Sequence, residues 1–209
     1  MSDKKPSLIR EFVTVVGTAL VLSVLVRTFL IQAFYVPSES MQNTLLKNDR
    51  IIVSKISSKI TGIHRGNVVV FHDPGQWLGD GFPNPYDTPL GRVLQFVGIV
   101  PSNSGNDLVK RVIGVGGDKI KCCDVQGRIE VNGVGATEPY IKPGSPTDQV
   151  TFEVLVPEGS VFVMGDNRGN SEDSRFHLEL NNGMVPLKDV VGRVSVKVWP
   201  LSRMGGIEK

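Results

Sequence analysis

The chain has 209 residues, 40% hydrophobic and 21% charged, which is enough apolar material for a packed core and the wrong balance for a disordered tail. Its formal net charge of +2 is too small to point to nucleic acid as a partner. Two cysteines can build neither a disulfide scaffold nor a cysteine-based zinc site, whereas 23 Gly and 13 Pro punctuate the chain as a turn-rich β body requires.

The first ten residues carry Lys4, Lys5 and Arg10 against Asp3, and residues 1–11 read as a cytoplasmic N-terminus. Phe12 to Val26 follow without a charge, Arg27 interrupts, and Thr28 to Val36 resume a mostly apolar run. As one helix, residues 12–36 would reach roughly 37 Å, against about 30 Å for a bilayer core. The pattern predicts a transmembrane anchor over 12–36, with Arg27 near the far interface and its head among the lipid headgroups. The basic flank predicts a cytoplasmic N-terminus on a single-pass protein of the cell membrane. Residues 37–200 are then expected outside the cytoplasm, with 201–209 as a C-terminal tail. A cleavable signal peptide is the alternative, but its apolar region is typically about 7–15 residues and ends in an A-x-A-like site that is missing here.

Beyond the anchor, Ile51–Ile56, Asn67–Phe71, Val150–Val156, Val161–Met164 and Val194–Trp199 alternate or are rich in β-branched residues, as strands are. Arg128–Val131 followed by Asn132-Gly133 predicts a hairpin with a type I′ turn. No later stretch has helical periodicity over about 12 residues. The expected fold is therefore mainly β: a transmembrane helix, then an antiparallel β-rich domain with a smaller inserted β region over 118–150. Asp73 to Gly91 holds four Pro and four Gly around Trp77, Phe82 and Tyr86, and together with residues 92–106 reads as a loop insertion over 73–106. Arg92–Val100 within it is apolar and is expected as a packed flap, with a membrane-touching or substrate-touching role as the alternative. Cys122 and Cys123 are adjacent, and buried thiols, a disulfide between neighbours and pairing with another chain all stay open.

Three segments carry candidate chemistry: Val36-Pro37-Ser38-Glu39-Ser40-Met41, Leu108 to Asp118 around Lys110, and Gly165 to Arg175. Read plainly, they are a polar linker, a strand with one basic residue before a Gly-rich turn, and a charged turn laced by Asp–Arg pairs. Together they bring a hydroxyl, a lysine among apolar neighbours and a dense polar loop into one small domain. Serine needs a base to take its proton, and a lysine can be that base only when neutral. Leu108, Val109, Val112 and Ile113 around Lys110 can supply the burial that disfavours the ammonium.

These segments, with Arg65–Phe71 ("RGNVVVF"), resemble the boxes of bacterial type I signal peptidases: "PSESM", "LVKRVIGVGGDKI" at Leu108–Ile120 and "GDNRGNSEDSR" at Gly165–Arg175, in the family's order. The insertion over 73–106 and the Cys-Cys pair resemble the actinobacterial branch. The resemblance implies a catalytic domain of the signal peptidase type, a membrane-bound serine/lysine endopeptidase that removes signal peptides from exported preproteins. It implies Ser40 as nucleophile, Lys110 as general base, and Ser38 with the Ser40 N–H as oxyanion hole. Ser171 would orient the lysine, and Asp166, Arg168, Asp173 and Arg175 would form a bracing ion-paired loop. An extended substrate is expected to add to strand edges at Phe34, Val36, Pro37 and Met41 and at Asp107, Leu108 and Val109. Implied partners are preproteins, a phospholipid bilayer and proximity to the secretion translocon; no metal or organic cofactor is implied. Two residues depart from the family's pattern. Asn43 stands where proline is usual, which is expected to loosen the backbone, and Gly169 stands where aspartate is common.

Rival readings fit less well. His64, His72 and His177 lie in no triad motif; residue 43, three after Ser40, is Asn rather than the lysine of a Ser-x-x-Lys enzyme; and Gly114 to Gly117 lacks the Lys-Ser/Thr of a phosphate loop. A non-catalytic, membrane-anchored extracellular β binding domain is the alternative from a different class.

Overall fold

Helix α1 (Leu8–Phe29) opens the computed structural model, which describes residues 8–56, 61–75, 77–79, 87–96, 100 and 105–207. Over Leu8–Val26 the mean hydropathy is 2.0 and none of the stretch is buried, so by length and composition it can cross a membrane. Its 22 residues span roughly 33 Å. The expected anchor over 12–36 is corrected at its end: the helix stops at Phe29, and Ile31–Tyr35 form strand β1. A short apolar run suits strand and helix equally, and here pairing decides. Residues 31–35 lie antiparallel to β2 (Arg50–Ser54) in unbroken register, from Ile31 facing Ser54 to Tyr35 facing Arg50. Lys4, Lys5 and the Arg27 side chain lie outside what the structure describes.

The other elements are β3 (Val68–His72), α2 (Pro89–Phe96), β4 (Asp107–Val115), β5 (Lys119–Cys122), β6 (Ile129–Val131), β7 (Val134–Gly135), β8 (Phe152–Leu155), β9 (Ser160–Met164), β10 (Val185–Pro186), β11 (Val190–Trp199) and β12 (Gly205–Gly206). An eight-stranded antiparallel sheet has the order β1-β2-β11-β3-β4-β9-β10, with β12 on β11; a four-stranded sheet has the order β7-β6-β5-β8. The mainly β expectation holds. Because β8 pairs with β5, the second sheet closes beyond residue 150, past the expected end of the inserted region. Asn132 and Gly133 both have positive φ (54° and 79°), as a type I′ hairpin requires.

The main sheet is covered on both faces, which explains why β3 reads as an unbroken apolar run. Its alternate residues serve different cores. Val68 and Val70 pack with Phe34, Met41, Leu45, Ile51 and Val53, whereas Val69 and Phe71 pack with Trp77, Leu108, Val112 and Val163. A third core, around Ile120, Ile129, Phe152 and Phe162, joins the two sheets. Cys122 is buried there and bonded to Cys123.

The start of the insertion docks on the body. The Asp73 carboxylate accepts from the N–H groups of Gly75, Trp77 and Leu78 at 2.8–3.0 Å. Trp77 is buried, edge-on to Phe71 and stacked on His177 at 4.5 Å. Phe82 and Tyr86 lie outside the described residues. The expected flap is corrected in part: residues up to Phe96 are helical, and Val93 and Phe96 are exposed rather than packed.

Candidate functional site

β4 supplies the central lysine. Alternation puts Leu108, Lys110 and Val112 on one face, and Leu108 and Val112 belong to a dry core, so the Lys110 amine is drawn into apolar surroundings. Only 3% of Lys110 is exposed. Burial lowers its pKa from the ordinary 10.5 to about 8; the Arg175 charge adds to this, and the carboxylates of Asp173, Glu172 and Asp166 act through space against it. β9 pairs with β4 only from Arg111 onward, so beyond that point the ladder stops and the 107–110 half of β4 borders a cavity.

That cavity, about 170 Å³, is lined by Val36, Pro37, Ser38, Glu39, Ser40 and Met41 on one side and by Asp107, Leu108, Val109 and Lys110 on the other. Ser38 and Ser40 lie in the turn that follows β1, with their hydroxyls 3.2 Å apart. The Ser40 carbonyl accepts from Asn167 N–H at 2.9 Å, and the Asn167 side-chain amide donates to Glu39 O, so the serine turn is pinned to the Gly165–Arg175 loop. The structure therefore gathers both serines, the lysine and six of the seven expected substrate-edge residues. The exception is Phe34, which is 2% exposed and packs in the core under β1 and β2 instead of the cavity. Alternation places its side chain inward one residue before the strand ends.

Ser171 does not line the cavity, but Asn170 and Glu172 on either side of it do. Its hydroxyl is buried and has no hydrogen-bond partner among the described residues. Gly165 explains how it fits: a Cβ there would stand 2.5 Å from the Ser40 carbonyl oxygen and inside the Ser171 side chain. Only glycine lets the serine turn and Ser171 meet across this backbone.

The bracing loop is built differently from the expected one. Asp173 and Arg175 do pair, at 2.9 Å and fully buried. Burial pushes the Asp173 carboxyl up, but the Arg175 hydrogen bonds and charge, the nearby Lys110 and the Gly165 N–H together hold it below its usual range. Asp166 and Arg168, however, find their charged partners outside the loop. Asp166 takes both arms of Arg111 from β4 at 2.9 and 2.7 Å and accepts from the Thr44 hydroxyl at 2.5 Å. Arg168 pairs with Glu138 at 2.5 Å. The Arg175 guanidinium also reaches the carbonyls of Thr147 and Arg168. Three arginines therefore tie the loop to β4, to the serine turn and to the chain between β7 and β8. Sequence reading missed Arg111, Glu138, Thr44 and Leu78, the last of which lines the cavity from the insertion. Arg111 had a signal, a second cation beside Lys110 on the opposite face of an apolar strand.

Both departures have a structural counterpart. Asn43 has φ of 100°, which proline cannot adopt, and its side-chain amide donates to Tyr140 O at 3.0 Å. The residue is thus tethered, which corrects the expected loosening. The Gly169 N–H donates to the Ser145 hydroxyl at 2.6 Å, and a Cβ on Gly169 would meet Pro146 at 3.1 Å. Among the described residues no cluster of His, Cys, Asp and Glu is arranged to hold a metal ion.

Residues 9–199 match the family described as signal peptidase, peptidase S26. A probable signal peptidase I of Mycobacterium leprae is 36% identical over 98% of this chain and 81% of its own length. A signal peptidase I of Mycobacterium tuberculosis is 37% identical over 96% of this chain and 76% of its own. One from Leptolyngbya laminosa is 36% identical over 97% and 85%.

Proposed function

The chain belongs to the signal peptidase family, peptidase S26, and from that premise we propose that it removes signal peptides from exported preproteins with Ser40 as nucleophile and neutral Lys110 as base. The observation that carries the assignment of residues is a buried lysine with its pKa brought down to about 8, lining the same cavity as Ser40. α1 anchors the chain in the cytoplasmic membrane with its N-terminus inside and the β domain outside.

The preprotein lies extended between Val36–Ser38 and Asp107–Val109, using the edge where the β9 ladder stops. As Ser40 Oγ adds to the scissile carbonyl carbon, its proton passes to Lys110 Nζ. The negative oxygen is held by the Ser38 hydroxyl, whose 3.2 Å separation from Ser40 Oγ suits this, and by the Ser40 N–H. The C–N bond then breaks, and the Lys110 ammonium returns its proton to the leaving amine. Water next adds to the acyl-enzyme, again giving its proton to Lys110, and the ester C–O bond breaks with that proton restored to Ser40. The unpartnered Ser171 hydroxyl supports a role in holding the amine in line. A cavity of about 170 Å³ edged by Val36, Met41, Leu78 and Leu108 favours small side chains next to the bond. Replacing Ala by Phe immediately before the cleavage site should therefore abolish processing.

β1 sets how far the serine turn stands from the span. Five extended residues separate the span from the serine turn, up to roughly 17 Å of strand. The substrate therefore needs an extended segment between its own apolar stretch and its cleavage site.

The test is cleavage of a preprotein by folded Ser40→Ala and Lys110→Met chains. Each is expected to lose about 10⁴-fold or more in kcat. Near-parental turnover by either sinks the assignment.

A further inference from the structure

We propose that α2 is a second membrane contact, lying in the headgroup–acyl boundary of the bilayer that takes α1. Its eight residues are two-faced. Leu90, Val93 and Phe96 are 69%, 58% and 67% exposed and fall within an arc of about 120° at 100° per residue. On the other side Gly91 is buried and Leu94 and Gln95 are half-buried against the protein. Arg92 borders the apolar arc and pairs with Asp87 at 2.7 Å, both exposed. A short helix that hides its small residue and presents leucine, valine and phenylalanine to the outside, with an arginine at the border, has the build of an interfacial helix.

Strand register says what covers that face. One row crosses the main sheet: Ile31 faces Ser54, Ser54 faces Arg193, Arg193 faces Val69 and Val69 faces Lys110. Ile31 is where the chain arrives from α1. From this row β3 runs on to His72, which faces Asp107 at the start of β4, and Val190 faces Phe71 on the same side. The insertion that bears α2 leaves after His72 and returns at Asp107, its neck closed by Asp73 N–H to Asn106 O at 2.9 Å. It therefore emerges from the end of the sheet at which α1 enters. Phe29, Leu30 and Ile31, 61%, 39% and 43% exposed, continue the apolar surface at that end. The second sheet begins at the opposite end of β4 and carries no such helix among the described residues. The occupant is thus lipid, and the inference rests on α1 being the membrane span. One helix leaves the catalytic body free to turn about its tether; two contacts fix which way the cavity faces.

The test uses the full chain in vesicles of phosphatidylethanolamine and phosphatidylglycerol, with and without brominated acyl chains. Val93→Trp is the reporter, Leu90→Trp the second reporter should the first misfold, and Leu155→Trp on the second sheet the distant control. The parent's Trp77 and Trp199 emission is subtracted. In brominated vesicles the added emission at position 93 or 90 should fall by about half or more and resist aqueous iodide, while at position 155 iodide should quench and bromolipid should not. Added emission at 93 and 90 that bromolipid leaves unchanged overturns the inference, whether water or a protein covers the helix. Flotation and preprotein cleavage by the parent separate the failures. A chain that floats and cleaves but shows no bromolipid quenching loses only the α2 contact, whereas one that does not float loses the span and this contact together.

Discussion

Lys110 and Arg111 are neighbours on one strand, nearly equally buried at 3% and 0% exposed, and the protein treats their charges in opposite ways. Arg111 leaves its face of β4 to meet Asp166 with two hydrogen bonds, a third to Thr44 and a fourth to Gly66 O. Lys110 leaves the other face into a cavity where the nearest carboxylates act only through space and burial dominates. A guanidinium cannot shed its proton, so burying it requires a partner of opposite charge. An ammonium can shed its proton, so burial without a direct partner makes it a base. The arginine network is therefore the frame and the lysine cavity the reactive part. The frame stays charged so that the cavity next to it can hold a neutral amine.

Breaking the frame should have the largest effect on the fold. Asp166→Ala leaves the Arg111 guanidinium buried without its carboxylate and should lose about 3–5 kcal/mol in urea unfolding. A loss under about 1 kcal/mol would show that the pair is not what holds the loop to β4. Within the cavity, Ser38→Ala should lower kcat by about 10²–10³-fold with little change in KM, as for one lost oxyanion donor. An equal loss confined to KM would instead make Ser38 a binding residue.

The lysine side of the comparison is sharpened by pH. Below about 8 the Lys110 amine is protonated, so kcat/KM should fall about tenfold per pH unit there and level off above. Stability should move with it. The unfolded lysine titrates near 10.5, so between about 8 and 10.5 the unfolded chain binds more protons than the native one and stability rises with pH. Below that window the native state carries the full cost of the charged amine, on the order of 3 kcal/mol. Lys110→Met should thus be more stable than the parent at pH 7 by up to about that amount, with the gain vanishing above pH 10.5. An inactive Lys110→Met chain that is also less stable would mean that the lysine belongs to the frame. The smallest expected effect is at Asn43, where alanine would lose the bond to Tyr140 O and strain a φ of 100°, about 1–2 kcal/mol by thermal unfolding.

Much of this was legible because it depends on local pattern. Apolar length marked the span, alternation and β-branching marked β2, β3, β9 and β11, and Asn132-Gly133 marked a hairpin whose two positive φ values only a few residue types accept. Ser40, Lys110 and their boxes stood out by order along the chain. What misled was also local. Ile31–Tyr35 continue the apolar run of α1, and only pairing with β2 makes them a strand. Asp166 and Arg168 sit two apart and look like partners, yet their side chains go to Arg111 and Glu138.

An apolar N-terminal helix, a mainly β body and a serine and a lysine in signal peptidase boxes could be read from the residues alone, because hydropathy, periodicity and motif order are properties of neighbours in the chain. It took the folded arrangement to show that the lysine is dry, that Arg111 comes from β4 to Asp166 of the loop while Arg168 leaves the loop for Glu138, that Gly165 admits Ser171 beside the serine turn, and that the insertion rises from the end of the sheet nearest α1. Burial, pairing and register are set by residues distant along the chain, and desolvation, which turns Lys110 from a charge into a base, arises only when those residues close around it.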